Sequence, residues 1–546
     1  MKASGKKPSK HKKNAGKASR FDFPVLPVLV LLVLVILVVV RLFYLPLAFD
    51  RDEGSYLYFG ELILHAKVPY QDFYEIKPPG IFYSYALIAA VFGTTTIGAH
   101  AALLLIKIAS GYLLFQISRR YVNASYAWLT VLAYGLYSTN PYLQDLAMVS
   151  EHLTTLCVLG GIWMLHQALD KKKSRWWIGS GALLAWGVLI KQTGLFYFLP
   201  VIIIAVGESR AQQQSIPWKG LLKLGGASLI TGLLVLLVLG IQGSLPEVYH
   251  WLVERPFGYA EVLGDAQKQE LRKHFISLAG RILWMLWITS GIGILVAWLE
   301  KPVRYPVYVL ALTIAAGINL VLGGRFYGHY ALNLLPFMAM WAGFGLYVLG
   351  NRIARQSGQR AWTYPLLSLP VIGVTLFLVL SNYFPVDQTT MIRRIYGKNP
   401  FEEMYNLGIY VNGIKGPGDQ VLIVGSEPQG YLYTKTLAPT RHIFPAFISN
   451  DDPENVRYQE EAIEAMKSSK PKYLFLVVNS FSWLFKDESQ AGRNYFNNAF
   501  YYVQQGYRKV AIAETYPDRP SRYIYGQEAT NHDPQSSTYI EVYERR

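Results

Sequence analysis

The chain has a single cysteine in 546 residues, Cys157. It has no partner for a disulfide within the chain, and neither a CxxC motif nor a cysteine-based metal site exists. Charge is scarce as well: 16% of residues are Asp, Glu, Lys or Arg, where a soluble domain carries about 25%. In its place stand long hydrophobic runs, and 52% of the residues are hydrophobic. The runs are roughly 15–24 residues long, which at about 1.5 Å per residue is bilayer-spanning length. Disorder, a disulfide scaffold and an ordinary cytosolic enzyme are thereby excluded. The composition is that of a polytopic α-helical membrane protein. Internal repeats and inverted pairs of Gly/Pro-broken spans, common in secondary transporters, are also missing.

Acidic residues are outnumbered, 36 to 52, giving a net charge of +16. Residues 1–20 hold Lys6, Lys7, Lys10, Lys12, Lys13 and Lys17 and no acid. A nucleic-acid arm has this look, but a basic tail directly before a first span holds the N-terminus in the cytoplasm. No nucleic-acid partner is expected. The first span, residues 24–45, is too long for a secretory signal core and lacks a cleavage site, so it reads as a retained anchor.

Further apolar runs lie at 97–117, 124–140, 148–168, 176–190, 193–207, 220–243, 276–299, 304–323, 331–350 and 363–384, for about eleven spans. The run 80–93 suits an interfacial or re-entrant helix better than a crossing. With that run not crossing, the basic loops at 119–120, 171–175, 210–219, 301–304 and 352–360 all fall inside, as the positive-inside rule requires. The outer face then receives 50–79, 140–151, Lys191-Gln192, 244–275, 323–330 and the C-terminal region. Residues 21–384 form the membrane domain, with outer loops at 50–96 and 244–275. Residues 385–546 turn soluble, and strand-length runs at 420–424 and 473–478 flank a helix-like stretch at 453–468. That order predicts a small extracytoplasmic α/β domain. The predicted location is an integral plasma (inner) membrane protein with a cytoplasmic N-terminus.

The loop Phe49-Asp50-Arg51-Asp52-Glu53-Gly54-Ser55-Tyr56 places three carboxylates directly after the first span. Asp50 and Glu53 have capping-box spacing, and residues 56–66 read as an interfacial helix. Asp52 at that helix start is a candidate general base. It suits removing the proton of a hydroxyl or amine as that group attacks an activated sugar carbon. Tyr74-Glu75-Ile76-Lys77-Pro78-Pro79-Gly80 follows. The two prolines fix the backbone and hold Lys77 at the membrane surface, where it meets a lipid phosphate or simply snorkels to water.

Together these stretches resemble the GT-C glycosyltransferases, in the branch with protein O-mannosyltransferases and the bacterial aminoarabinose transferase. The resemblance rests on Asp52-Glu53-Gly54, Val68-Pro69-Tyr70 and Lys77-Pro78-Pro79-Gly80 in that order. Glu151 opening a later span, Gly187 through Thr193 and His329 through Pro336 add to it. It implies a GT-C-type bundle of about 11–13 transmembrane helices. It also implies inverting transfer of a sugar, mannose or a related one, from a polyprenyl-phosphate carrier to an acceptor protein, lipid or polysaccharide. By the same resemblance Asp52 is the base with Glu53 beside it, and Lys77 binds the carrier phosphate. Glu151 stands where the family usually has Asp. Some relatives place a metal-ligating acid directly before the lysine; here Ile76 stands there and Glu75 one further back, so a divalent metal is left open and no cofactor is assigned.

Four more residues complete the candidate set. Asp145 joins Glu151 as a second acidic site in loop 140–151. Lys191, between two apolar runs, is costly at membrane depth unless it meets an anion or marks a turn. Arg325 and His329, four apart, would share a helix face and form a cationic group where the charge bias disfavours one, which suits a phosphate. Aromatics of 244–275, including Tyr249, Trp251, Phe257 and Tyr259, are a carrier or acceptor surface or membrane packing. Gly425-Ser426-Glu427-Pro428-Gln429 has too few glycines for a phosphate loop; the C-terminal domain reads as an acceptor-binding or lid module. A flippase for a lipid-linked sugar would keep charges inside its spans, and a noncatalytic envelope receptor leaves the order of Asp52, Lys77 and Arg325 unexplained.

Overall fold

The computed structural model describes residues 25–255, 265–299, 304–322, 324–357, 360–384, 386–449, 451–483 and 490–546. The basic tail 1–20, Phe257, Tyr259 and Gly323 lie outside the described residues.

Each apolar run is helical. α1 (Val25–Leu42), α4 (Thr96–Tyr121), α5 (Ala124–Ser138), α6 (Ser150–Lys171), α7 (Ser174–Ile190), α8 (Phe198–Ala211) and α9 (Trp218–Ile241) are followed by helices Trp284–Leu299, Arg304–Val321, Leu335–Ser357 and Arg360–Tyr383. Among the described residues six helices are long and apolar enough to cross a membrane, or seven if a bent pair is one span. That pair departs from the sequence reading: the run 276–299 breaks, and helices ending at Ile282 and starting at Trp284 meet at 81°. The first of them, Asp265–Ile282, carries Lys268, Arg272 and Lys273 and so cannot sit in hydrocarbon. Much of loop 244–275 is therefore helix.

Two helices on the loop side do not have spanning length. α2 (Arg51–Leu64) starts where Asp50 accepts the Glu53 N–H at 2.8 Å, the ordinary N-cap bond. α3 (Gly80–Phe92) is 13 residues of apolar sequence, matching the non-crossing expectation in length. α2 is not an open interfacial helix: Glu53 through Gly60 are all buried. The cover comes from α3 on one side and from the C-terminal region on the other. At Gly60 an added Cβ would lie 2.6 Å from the Tyr85 backbone.

The C-terminal region builds one sheet in the order β1-β2-β5-β3-β4, from β1 (Val421–Val424), β2 (Tyr473–Val478), β3 (Tyr507–Glu514), β4 (Arg522–Tyr525) and β5 (Tyr539–Arg545). β1 and β2 flank the helix Pro453–Ser469 in the order of runs predicted and pair in parallel; the other pairings are antiparallel. A single hydrophobic core joins this sheet to α2 and α3. Tyr58 stacks on Tyr431 at 5.0 Å, and Tyr74 Oη bonds His442 Nδ1 at 2.8 Å. The sheet domain thus grips both loop segments that the sequence singled out.

Candidate active site

Asp52 lies in the first turn of α2, where the helix dipole favours a carboxylate. It is half-exposed. Tyr56, one turn on along the same face, is buried and accepts a hydrogen bond from the Lys77 ammonium. Lys77 also lies 4.6 Å from the Tyr56 ring centroid, a cation–π contact. It does not snorkel outward. Burial opposes its charge, but the carboxylates of Glu75, Asp52, Glu151 and Asp50 outweigh that and raise its pKa. Glu75 is buried too; burial raises its pKa, with Lys77 pulling down and Asp52 pushing up. Asp52, Glu75 and Lys77 therefore share one field.

The Lys77 segment is held from three sides. Tyr70 Oη donates to the Lys77 carbonyl at 2.8 Å, and Gln192 Nε2 donates to the Ile76 carbonyl at 2.8 Å. At Gly80 a Cβ would sit 2.7 Å from the Leu189 backbone, so only glycine lets the loop end close on the end of α7. That contact brings Lys77 beside the segment that carries Lys191.

Lys191 meets its anion. It donates to Glu151 Oε1 at 2.5 Å and lies 4.2 Å from the Tyr330 ring centroid. Glu151, in the first turn of α6, is buried, and Ser150 Oγ donates to its other oxygen at 3.1 Å. His329 joins the same group, since Glu151, Asp52, Lys191 and Lys77 all act on it. Burial is the larger effect and lowers its pKa, leaving the ring neutral at pH 7. Its Nδ1 bonds Gln144 Oε1. With the proton placed there, Nε2 offers a lone pair, not a donor. Gly328 permits this approach, because a Cβ there would lie 2.5 Å from the Tyr142 carbonyl.

Not every candidate converges. Arg325 is buried and its Nη1 reaches Tyr327 Oη at 3.4 Å, but it shares no helix face with His329: residues 325–327 are non-helical, with Phe326 at a φ of 48°, and Gly328–Asn333 is a 3-10 turn. Glu53 turns away from the open side. Its Oε1 accepts the Met148 N–H at 2.8 Å and its Oε2 faces His100 Nε2 at 3.2 Å. Only half of the capping box forms, because the Glu53 carboxylate is spent on these two contacts. Asp145 belongs to another group: it pairs with Arg41, Lys107 Nζ approaches Oδ2 at 3.4 Å, and Tyr383 Oη donates to Oδ1 at 2.6 Å. Asp145 and Glu151 are thus two separate acidic positions.

Sequence reasoning passed over Tyr56 and Glu75 as site residues. The i,i+4 relation to Asp52 marked the first, and its place two residues before Lys77 marked the second. No group of three His, Cys, Asp or Glu side chains suited to a metal occurs among the described residues. Glu75 Oε1 accepts the N–H of Ile76.

Residues 76–232 match the family of dolichyl-phosphate-mannose-protein mannosyltransferases. No curated protein sequence matches the chain. The crystal structure of ArnT from Cupriavidus metallidurans in the apo state superposes with a TM-score of 0.58 at 12% identity, over 95% of this chain and 98% of that one. The chain shares the overall fold of that structure. ArnT bound to undecaprenyl phosphate gives 0.50 at 14% identity, over 76% and 84%. The apo oligosaccharyltransferase of Archaeoglobus fulgidus gives 0.51 at 11%, over 93% and 75%. The family match begins at Ile76, so it takes in Lys77, Glu151 and Lys191 and leaves out Asp52 and His329.

Proposed function

We propose that this chain is an inverting membrane glycosyltransferase that moves a sugar, mannose or a related one, from a polyprenyl-phosphate carrier to an acceptor on the outer face of the membrane. The observation that carries the reading is the meeting of Asp52, Glu75 and Lys77 with Glu151, Lys191 and His329 in one charged group, although they come from five separate stretches of chain. The matched family and the undecaprenyl phosphate in the ArnT structure support the donor class.

Asp52 takes the proton of the acceptor hydroxyl or amine as that atom bonds to the anomeric carbon. The bond from that carbon to the phosphate oxygen breaks on the opposite face, and the carrier phosphate leaves with its electron pair. Lys77 holds the negative charge that builds on it. Lys191 lies within reach of the same phosphate but is shared with Glu151. Neutral His329, with its lone pair outward, suits a sugar or acceptor hydroxyl better than a phosphate. Glu53 is a positioning residue: through Met148 and His100 it fixes α2 against the loop before α6 and against α4. The C-terminal domain acts as the cover that fixes both loops.

Purified protein given a carrier-linked sugar tests this. Asp52→Asn should lose about 10²–10⁴-fold in transfer, and Lys77→Gln should lose activity as well, both with wild-type melting. Full activity in Asp52→Asn removes the base from the mechanism.

A further inference from the structure

On the flank formed by α1, α4 and α5 lies a crevice of about 390 Å³, remote in its bonding from the group just described. Leu34, Phe115 and Trp128 supply apolar walls, and Ile108 and Tyr112 at its edge are more than half exposed. Its polar end holds Arg41, Lys107 and Ser138, at the loop-side ends of α1 and α5.

Two buried cations there face one carboxylate. Arg41 Nη1 pairs with Asp145 and Nη2 donates to the Asp145 carbonyl at 2.7 Å. Lys107 Nζ donates to the Ser138 carbonyl at 2.6 Å and reaches Asp145 at only 3.4 Å. Two of its three N–H directions are thus used, and two basic side chains share the one carboxylate of Asp145. A surplus cation at membrane depth is costly unless an anion approaches it. Along α4 the crevice runs from Leu104 to Gln116, about 18 Å at helical rise, close to the roughly 15 Å of one leaflet's hydrocarbon. An isoprenoid long enough to cross both leaflets would overrun it.

We propose that this crevice binds an anionic phospholipid from the leaflet beside the catalytic loops, with its phosphate at Lys107 and Arg41 and one acyl chain along α4. The site stands independently of the transferase reading. It touches the loops all the same: Asp145 and Met148 share the 140–149 segment, and Met148 holds Glu53.

Full-length protein in detergent, titrated with phosphatidylglycerol or phosphatidylcholine and followed by native mass spectrometry, reads the site directly. One phosphatidylglycerol should bind saturably and phosphatidylcholine should not compete. Lys107→Gln should weaken that binding about fivefold, the loss of one lysine's pull on a lipid phosphate. Gly111→Phe leaves every charge in place and fills the crevice, since a Cβ at Gly111 meets nothing within 4 Å; it should abolish the saturable phase. Equal binding of phosphatidylcholine, an unchanged Gly111→Phe, or stoichiometric displacement by undecaprenyl phosphate overturns the proposal.

Discussion

Around Asp145 both carboxylate oxygens are engaged: Arg41 and Lys107 reach one and Tyr383 takes the other. Around Asp52 the balance is reversed. That carboxylate is half-exposed, while its neighbours Lys77 and Glu75 are packed into place by Tyr56, Tyr70 and Gln192. One cluster ties α1, α4 and the helix Arg360–Tyr383 to a loop; the other leaves Asp52 and Lys77 partly exposed. A buried carboxylate with both oxygens engaged serves as a joint between helices. Charges held rigidly by neighbours that do not use them up are the ones free to meet a substrate. Glu151 and Lys191 stand between these extremes, bonded to each other yet within the field of Lys77.

The widest gap between the clusters should appear in stability. Asp145→Asn leaves Arg41 and Lys107 buried without their counter-charge and should cost about 3–5 kcal/mol, measured as earlier loss of monodisperse protein on heating in detergent. Asp52→Asn, at a half-exposed position, should melt with the wild type. Equal melting losses in the two variants would erase the distinction. A smaller effect belongs to the intermediate pair. Lys191→Met leaves Glu151 buried and unpaired, for about 1.5–3 kcal/mol. The double variant Glu151→Gln with Lys191→Met should recover most of that stability and still fail in sugar transfer. Recovery of both would make the pair a joint like Asp145, not part of the site.

The same contrast explains what could be read from the sequence. Helical runs, the N-cap at Asp50 and the β1–helix–β2 order depend on neighbouring residues, and all were legible. Asp52, Lys77, Glu151, Lys191 and His329 stood out because charge beside apolar runs is expensive. Their partners did not. That Asp145 would meet Arg41, 104 positions away, and Glu151 would meet Lys191 is a matter of helix packing. β3, β4 and β5 pair across the sheet through contacts distant in sequence. The burial of α2 was missed for the same reason: it depends on a C-terminal segment, where Arg51 donates to the Ser426 carbonyl at 2.7 Å and pairs with Glu427 at 2.6 Å. Gly425 through Gln429, passed over as a phosphate loop, turned out to be the piece that docks on the start of α2.

The gentlest test concerns Asp50, which lies beside the open cluster but has its bonds made. Burial, reinforced by the charges of Glu53 and Asp52, raises its pKa from 3.8 to about 7, against the pull of the Glu53 N–H and Tyr396 Oη. In the unfolded chain it ionises near the ordinary carboxylate value. Between 3.8 and about 7 the folded protein keeps a proton that the unfolded chain has released, so its contribution to stability is full below that window and is lost as pH rises through it. The decline can be no steeper than about 1.4 kcal/mol per pH unit, the limit for one proton. Asp50→Asn keeps an N-cap acceptor of equal quality and removes the buried charge. It should flatten the melting profile across the window and be no less stable than the wild type at pH 8. Tyr396→Phe should act the other way, withdrawing one donor from the carboxylate and moving the decline to higher pH. If the slope survives Asp50→Asn unchanged, the proton belongs to Glu75 instead, and the open cluster, not its capped neighbour, sets how this face of the protein responds to pH.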